Sequence, residues 1–275
     1  FTKRDHYLIR NIIKCHSKVP IEIMYLETNT LPMEFILASR RINYLHNIIS
    51  KKDDELIKRI YQEQKKDPWK GDWCELVQRD MDMVEINMDD NTIRNMSKKV
   101  FKAYVKKCVK SAAFQNLRNL QSGHTKVRNI EYSKTTLQPY LCSESFTSEE
   151  SSLLFNMRAN CINGYKMCFT SVNRNDILCK LGCKSEDSIN HVFTCHMINT
   201  HGGIQGGEYS DIFANIKKQK ETVLTFIQRN NIRSTILLSD TAHQGLVLDT
   251  ASSAYAGEAG EIPGGHSSSI VSLCE

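Results

Sequence analysis

Ser97-Lys-Lys-Val-Phe-Lys-Ala-Tyr-Val-Lys-Lys-Cys-Val-Lys-Ser-Ala-Ala-Phe-Gln-Asn-Leu-Arg-Asn-Leu-Gln-Ser-Gly123 is the stretch whose reading decides the fold class. Val100, Phe101, Tyr104, Val105, Cys108 and Val109 begin an apolar pattern at helical spacing. Ala112, Ala113, Phe114, Leu117 and Leu120 continue it. Ser97 stands where a helix starts, and Gly123 is a natural stop because it tolerates the left-handed conformation. Lys98, Lys99, Lys102, Lys106 and Lys107 fall on the polar side.

Working outward, the same period recurs upstream. Pro32 suits a first helical turn, where its missing N–H costs nothing. Ile36, Leu37, Ile42, Leu45, Ile48 and Ile49 follow as a broad apolar face, with Arg40 and Arg41 largely opposite. Asp53 or Asp54 is expected to cap a helix through Leu56, Ile57, Ile60 and Tyr61, and another follows Gly71 with Trp73, Leu76, Val77 and Met81. Residues 7–15 read as the end of a helix, and Ile21–Leu26 as a short apolar run before a turn. Downstream, Val127, Ile130 and Tyr132 indicate a short extended piece. Thr147-Ser-Glu-Glu150 has capping-box spacing. The predicted helices are 33–49, 54–66, 72–82, 97–122, 148–160 and 210–237, and the fold class is mostly α. From about 240 the chain is rich in Ala, Gly and Ser and without a period, which predicts a disordered tail.

At 40% hydrophobic residues the chain has enough apolar material for a packed core. No run of about 18 apolar residues exists, so no membrane span is expected. Phe1 in place of Met reads as a processed product or a fragment of something longer, and Asp5, His6, Arg10 and Lys14 break up any signal-peptide pattern. Charge is uneven. The net charge is +5, and residues 240–275 hold five acids and no Lys or Arg, so the first 239 residues carry +10. Basic pairs such as Arg40-Arg41, Lys98-Lys99 and Lys106-Lys107 suit phosphate contacts, although a solvated helix face has the same composition. Most of the ten cysteines are scattered singly, which favours a reducing, intracellular compartment (nuclear or cytoplasmic) over a disulfide scaffold.

The exception is Cys179-Lys-Leu-Gly-Cys183, with His191 and Cys195 downstream. Two thiolates four residues apart make a tight turn, which Gly182 permits, and a His-x-x-x-Cys helical turn places two more ligands on one side. That is the donor set of a tetrahedral Zn²⁺ site with no open position, hence structural. His196 and His201 fit the spacing less well as substitutes. Two other patterns are set aside. Met88-Asp89-Asp90 has the composition of a polymerase metal turn, but Asp90 and Asn91 stand where caps before Ile93 are wanted. Leu246-Val-Leu-Asp-Thr-Ala-Ser-Ser253 has that of an aspartic-protease loop, without the barrel such a loop needs. No phosphate-binding Gly-rich loop and no Gly-x-Ser-x-Gly elbow occurs.

Val19-Pro-Ile-Glu-Ile-Met-Tyr-Leu-Glu-Thr-Asn-Thr-Leu-Pro-Met33 and Ala38-Ser-Arg-Arg-Ile-Asn-Tyr-Leu-His46 are followed by Gly71-Asp-Trp73, Asn95-Met-Ser-Lys98 and the Cys/Cys/His/Cys cluster. This order resembles the region after the polymerase core in non-LTR (LINE-like) retrotransposon reverse transcriptases. The resemblance implies a helical thumb/linker-like region over 1–123, a connector helix and CCHC knuckle over 124–209 and a C-terminal helix over 210–238; the tail over 239–275 departs from the family pattern. It implies a non-catalytic segment that grips RNA and/or DNA, with an N-terminal polymerase region as a further partner. Arg40, Arg41, Lys98, Lys99, Lys102, Lys106 and Lys107 are the expected phosphate contacts. The alternative expectation is a helical protein-interaction module, or an inactive remnant, whose charge is merely solvated.

Overall fold

The computed structural model describes residues 2–67, 69–123, 130–132, 136–162, 165, 177–202 and 207–251. The helices are α1 (Thr2–Ile13), α2 (Ile21–Thr28), α3 (Met33–Ile49), α4 (Leu56–Lys66), α5 (Trp73–Met83) and α6 (Asp90–Asn95). They continue with α7 (Lys98–Ser122), α8 (Ser148–Arg158), α9 (Ile189–Thr194), α10 (His196–Gly202) and α11 (Ile216–Ala251). Single 3-10 turns lie at Pro139–Leu141 and Tyr209–Phe213. Among the described residues there is no strand, and one antiparallel bridge pairs Leu178 with Glu186. The chain is mostly α, as the periodicity predicts.

The helix starts follow local chemistry. Ser97, Asp72 and Thr147 each accept a hydrogen bond from the backbone N–H three residues on, and Thr147 with Glu150 forms the full capping box. Three expectations shift. Glu55, not Asp53 or Asp54, precedes α4, because Asp53 instead pairs with Arg94 at 3.3 Å. Gly123 ends α7 at φ −69, an ordinary right-handed turn. Pro32 sits just before the first turn of α3 rather than within it.

The apolar run Ile21–Leu26 is helical, and Asn29, in the left-handed conformation at φ 54, ends it. Residues 130–132 carry no strand, and Val127 lies outside the described residues. The helix predicted from 210 begins at Ile216, because Asn215 Oδ1 accepts from the Lys218 N–H and caps it there. It then runs on to Ala251, into the stretch expected to be tail. Asp240–Ala251 contains no proline and includes Ala242, Ala251, Leu246 and Leu248; its single glycine, Gly245, weakens a helix by about 1 kcal/mol without ending it. Residues 252–275 lie outside the described residues.

Two apolar cores result. Phe35, Ile42, Leu45, Ile49, Val77 and Ile93 pack with the first half of α7 in one. Ile23, Met24, Leu26, Tyr140, Leu154, Phe155, Ile189 and Phe226 form the other. Helix α7 joins them. Its buried residues Phe101, Val105, Val109, Ala113, Leu117 and Gln121 are all four apart. A step of four overshoots a turn by about 40°, so this row winds about 200° around the helix. Phe101 to Ala113 therefore face the first core and Leu117 the second.

The second core contains a charged centre. Glu27 is fully buried and accepts from Tyr132 Oη at 2.6 Å, from Arg158 Nε at 2.8 Å and from Tyr140 Oη. Arg158 also donates to the Ile212 carbonyl at 2.7 Å. The network ties α2, α8 and the approach to α11 together, and it satisfies the carboxylate that burial would otherwise penalise.

Candidate metal centre and basic surface

Cys179, Cys183, His191 and Cys195 converge: their ligand atoms all lie within 4.8 Å of one another. Local backbone chemistry brings them there. The Cys179 N–H donates to Ser185 O at 2.8 Å and the Gly182 N–H to Cys179 O at 3.0 Å, closing the turn between the first two thiols. Gly182 has φ +78 and Lys184 φ 63, so this turn needs two residues in the left-handed region; Gly supplies one without strain. Ser188 then caps α9 by accepting from the His191 N–H at 3.1 Å. One helical turn carries the chain from His191 to Cys195, whose N–H donates to His191 O at 2.8 Å.

The geometry fits a metal ion. A tetrahedral ion with the usual zinc–sulfur distance separates its sulfurs by about 3.8 Å, and Cys195 Sγ lies 3.9 Å from Cys183 Sγ. His191 presents Nε2 to the same point, 3.0 Å from Cys183 Sγ. Cys179 and Cys195 are buried, Cys183 and His191 half-buried. Burial pushes the Cys179 thiol up to about 12. Burial works the same way on Cys183, but hydrogen bonds from Ser185 and the neighbouring thiols outweigh it and hold that thiol below its ordinary value. His191 is held down by burial, against the attraction of Asp187, which favours the neutral imidazole that binds metal. Four protein donors leave no vacancy for substrate, so such an ion is structural.

Helix α11 clamps this loop, a feature the sequence reading missed. Arg233 is ion-paired with Asp187, both side chains almost fully buried. One turn earlier, Arg229 Nε donates to Val192 O at 2.6 Å and its Nη2 to Asn199 Oδ1. The i, i+4 spacing of two arginines was the available signal, on a helix face that also buries Gln219, Thr222 and Thr225 beside Val223 and Phe226. The loop is also less bare of packing than its composition indicates. Ile189, Val192 and Ile198 are fully buried in the second core.

The expected phosphate contacts are distributed unevenly. Arg40, Lys98, Lys99, Lys102, Lys106 and Lys107 are exposed on α3 and α7, which pack together. Arg41 is half-buried and its charge is already paired: it grips the buried Asp80 in a two-pronged pair, with Nη2 to Oδ1 at 2.9 Å. Asp89, not Asp90, caps α6 by accepting from the Thr92 N–H at 2.7 Å, while Asp90 accepts from Tyr61 Oη and Lys65 Nζ, each at 2.9 Å. The protease-like stretch Leu246–Ser253 runs as α11 as far as Ala251, which is not a loop. Among the described residues, no helix is long and apolar enough to cross a membrane.

No protein-family model, curated protein or solved structure matches the chain. Function therefore has to be argued from the site itself.

Proposed function

We propose that this chain is a non-catalytic nucleic-acid-binding segment of the kind found after the polymerase core of non-LTR reverse transcriptases, with Zn²⁺ as its structural metal. The convergence of three cysteines and one histidine, in the order the resemblance implies, carries the reading. Zinc is the natural occupant of a Cys₃His site, being the divalent ion that accepts thiolate and imidazole tetrahedrally without redox change. Cys179, Cys183, His191 and Cys195 would hold it, and it would lock the 179–195 loop against α11. The exposed lysines of α7 supply the electrostatic surface. They are spaced along one helix and free of sequence-reading chemistry, which suits a phosphate backbone of RNA, DNA or a hybrid.

The test has two parts. Purified protein should hold about one equivalent of zinc, and Cys195→Ser should hold none, while Cys142→Ser, exposed and remote from the cluster, should keep it. Binding to a duplex should fall steeply with salt, and replacing Lys102 and Lys106 by Gln should flatten the slope of log K against log salt by about two. Absence of binding at low salt would remove the nucleic-acid role. A zinc-free wild type would remove the metal.

A further inference from the structure

Between α4 and α6 lies a cleft of about 490 Å³ whose walls include Lys58, Lys65, Lys66 and Arg94 against one carboxylate, Asp90. That carboxylate is already neutralised from within, by Tyr61 Oη and Lys65 Nζ. Lys66 pairs with Glu63 at 2.8 Å on the exposed rim. Lys58 and Arg94 are different. Lys58 is 3% exposed, and its ammonium donates to the Ile49 carbonyl at 3.3 Å. Arg94 Nε shares that same carbonyl, also at 3.3 Å, and its Nη2 reaches Asp53, an exposed carboxylate, at 3.3 Å.

Ile49 ends α3, and cations are favoured at a helix C-terminus, so part of this arrangement is capping. Capping does not account for all of it. One carbonyl oxygen serves two cations that repel each other, and an ammonium and a guanidinium together bring eight N–H donors. Among the described residues, the only hydrogen-bond acceptors of Lys58 and Arg94 are that shared carbonyl and the exposed Asp53; Lys58 Nζ also lies 5.4 Å from the centre of the Tyr61 ring, and Arg94 is open to water. Burial, followed by repulsion from Arg94, lowers the affinity of Lys58 for its proton, against the attraction of Asp90 and Asp53.

We propose that this cleft receives a phosphate monoester, held between Lys58 and Arg94. A monoester carries close to two negative charges at neutral pH, which suits a cleft lined by four cations and one carboxylate, and offers three acceptor oxygens. The buried ammonium can be met only by a group that enters the cleft. A terminal phosphate has one substituent and can enter, whereas an internal phosphodiester is flanked by sugars on both sides and carries half the charge. Under the proposed function the ligand is the phosphorylated end of a nucleic-acid strand, and to that extent the inference rests on that reading. A free nucleotide presents the same chemistry.

The experiment uses the full chain and single-stranded oligonucleotides of one sequence, unmodified or bearing a 5′- or 3′-terminal phosphate, with inorganic phosphate as competitor. A terminal phosphate should raise affinity by about ten-fold, and inorganic phosphate should abolish that increment alone. Arg94→Gln should remove the increment and Lys66→Gln reduce it. Lys110→Gln, exposed on α7, should weaken all oligonucleotides alike. If Arg94→Gln loses its helical circular dichroism, Lys66→Gln carries the test. Equal affinity for all oligonucleotides with no effect of phosphate overturns the cleft assignment, even if salt-sensitive binding survives and the nucleic-acid reading stands. An increment that persists in both folded variants overturns it too. Should no oligonucleotide bind while ³¹P resonances of inorganic phosphate broaden with wild type but not with Arg94→Gln, the cleft stands and the nucleic-acid reading fails.

Discussion

Single residues paired with two buried carboxylates, Glu27 and Asp80, decide much of the stability. Arg158 and Glu27 are both almost wholly removed from water, so removing one partner strands the other. Arg158→Met should cost about 3–5 kcal/mol in urea unfolding, and the double change Glu27→Gln with Arg158→Met should cost less than the single one. Equal costs would mean that the arginine matters only as packing. Arg41 behaves in the same way on a smaller scale. Arg41→Gln should destabilise the fold by releasing buried Asp80, while leaving the salt dependence of nucleic-acid binding alone; Arg40→Gln should do the reverse. None of this was legible beforehand, because in sequence Glu27, Asp80 and Arg41 look like surface residues. Burial of a charge is a property of what surrounds it. The metal ligands were legible at this scale because their chemistry constrains their spacing.

Among the elements, amphipathic helices declared themselves and the all-round buried one did not. α3, α5, α7 and α8 each keep one wet side, so their apolar period survives in the sequence. α2 is buried on every side from Glu22 to Glu27, and an apolar run without a period does not separate helix from strand. Some helix ends differ because an acid is drawn elsewhere, as Asp53 is by Arg94, and one because a later residue caps, as Asn215 does. The capping box of α8 gives the element-scale prediction. Glu150 accepts both the Thr147 N–H at 2.8 Å and Lys220 Nζ at 2.5 Å, fastening α8 to α11. The Lys220 hydrogen bond, set against partial burial, holds the Glu150 carboxyl below its ordinary value. Its folded pKa is therefore depressed, so its contribution is complete above the ordinary glutamate range and disappears as the pH falls through the folded value. Glu150→Gln should lower the melting temperature at neutral pH and shrink the gap from wild type in acid. A gap that stays constant with pH would show that the charge contributes nothing.

For the whole molecule, the metal loop and the cores are linked unequally. Ile189 and Val192 anchor α9 in the second core whether or not metal is bound, whereas the turn from Cys179 to Ser185 buries only Cys179 and Leu181 in that core and is otherwise held by a few backbone hydrogen bonds and by its ligands. A chelator should accordingly release the amides of Cys179 and Gly182 to rapid hydrogen exchange before those of Val192. Simultaneous release would mean that metal organises the domain rather than the turn. Acid should act as a chelator does, because each ligand must lose or lack its proton to bind. The winding apolar row of α7 has a different consequence, for what changes in chain length the protein can absorb. Substitutions along that helix act one site at a time, but one residue inserted at its middle turns everything downstream by about 100°. Leu117 and Gln121 would swing out of the second core while Phe101 and Val105 stayed seated in the first. The segment between the cores is thus a gauge of fixed length, open to editing by replacement and closed to editing by insertion.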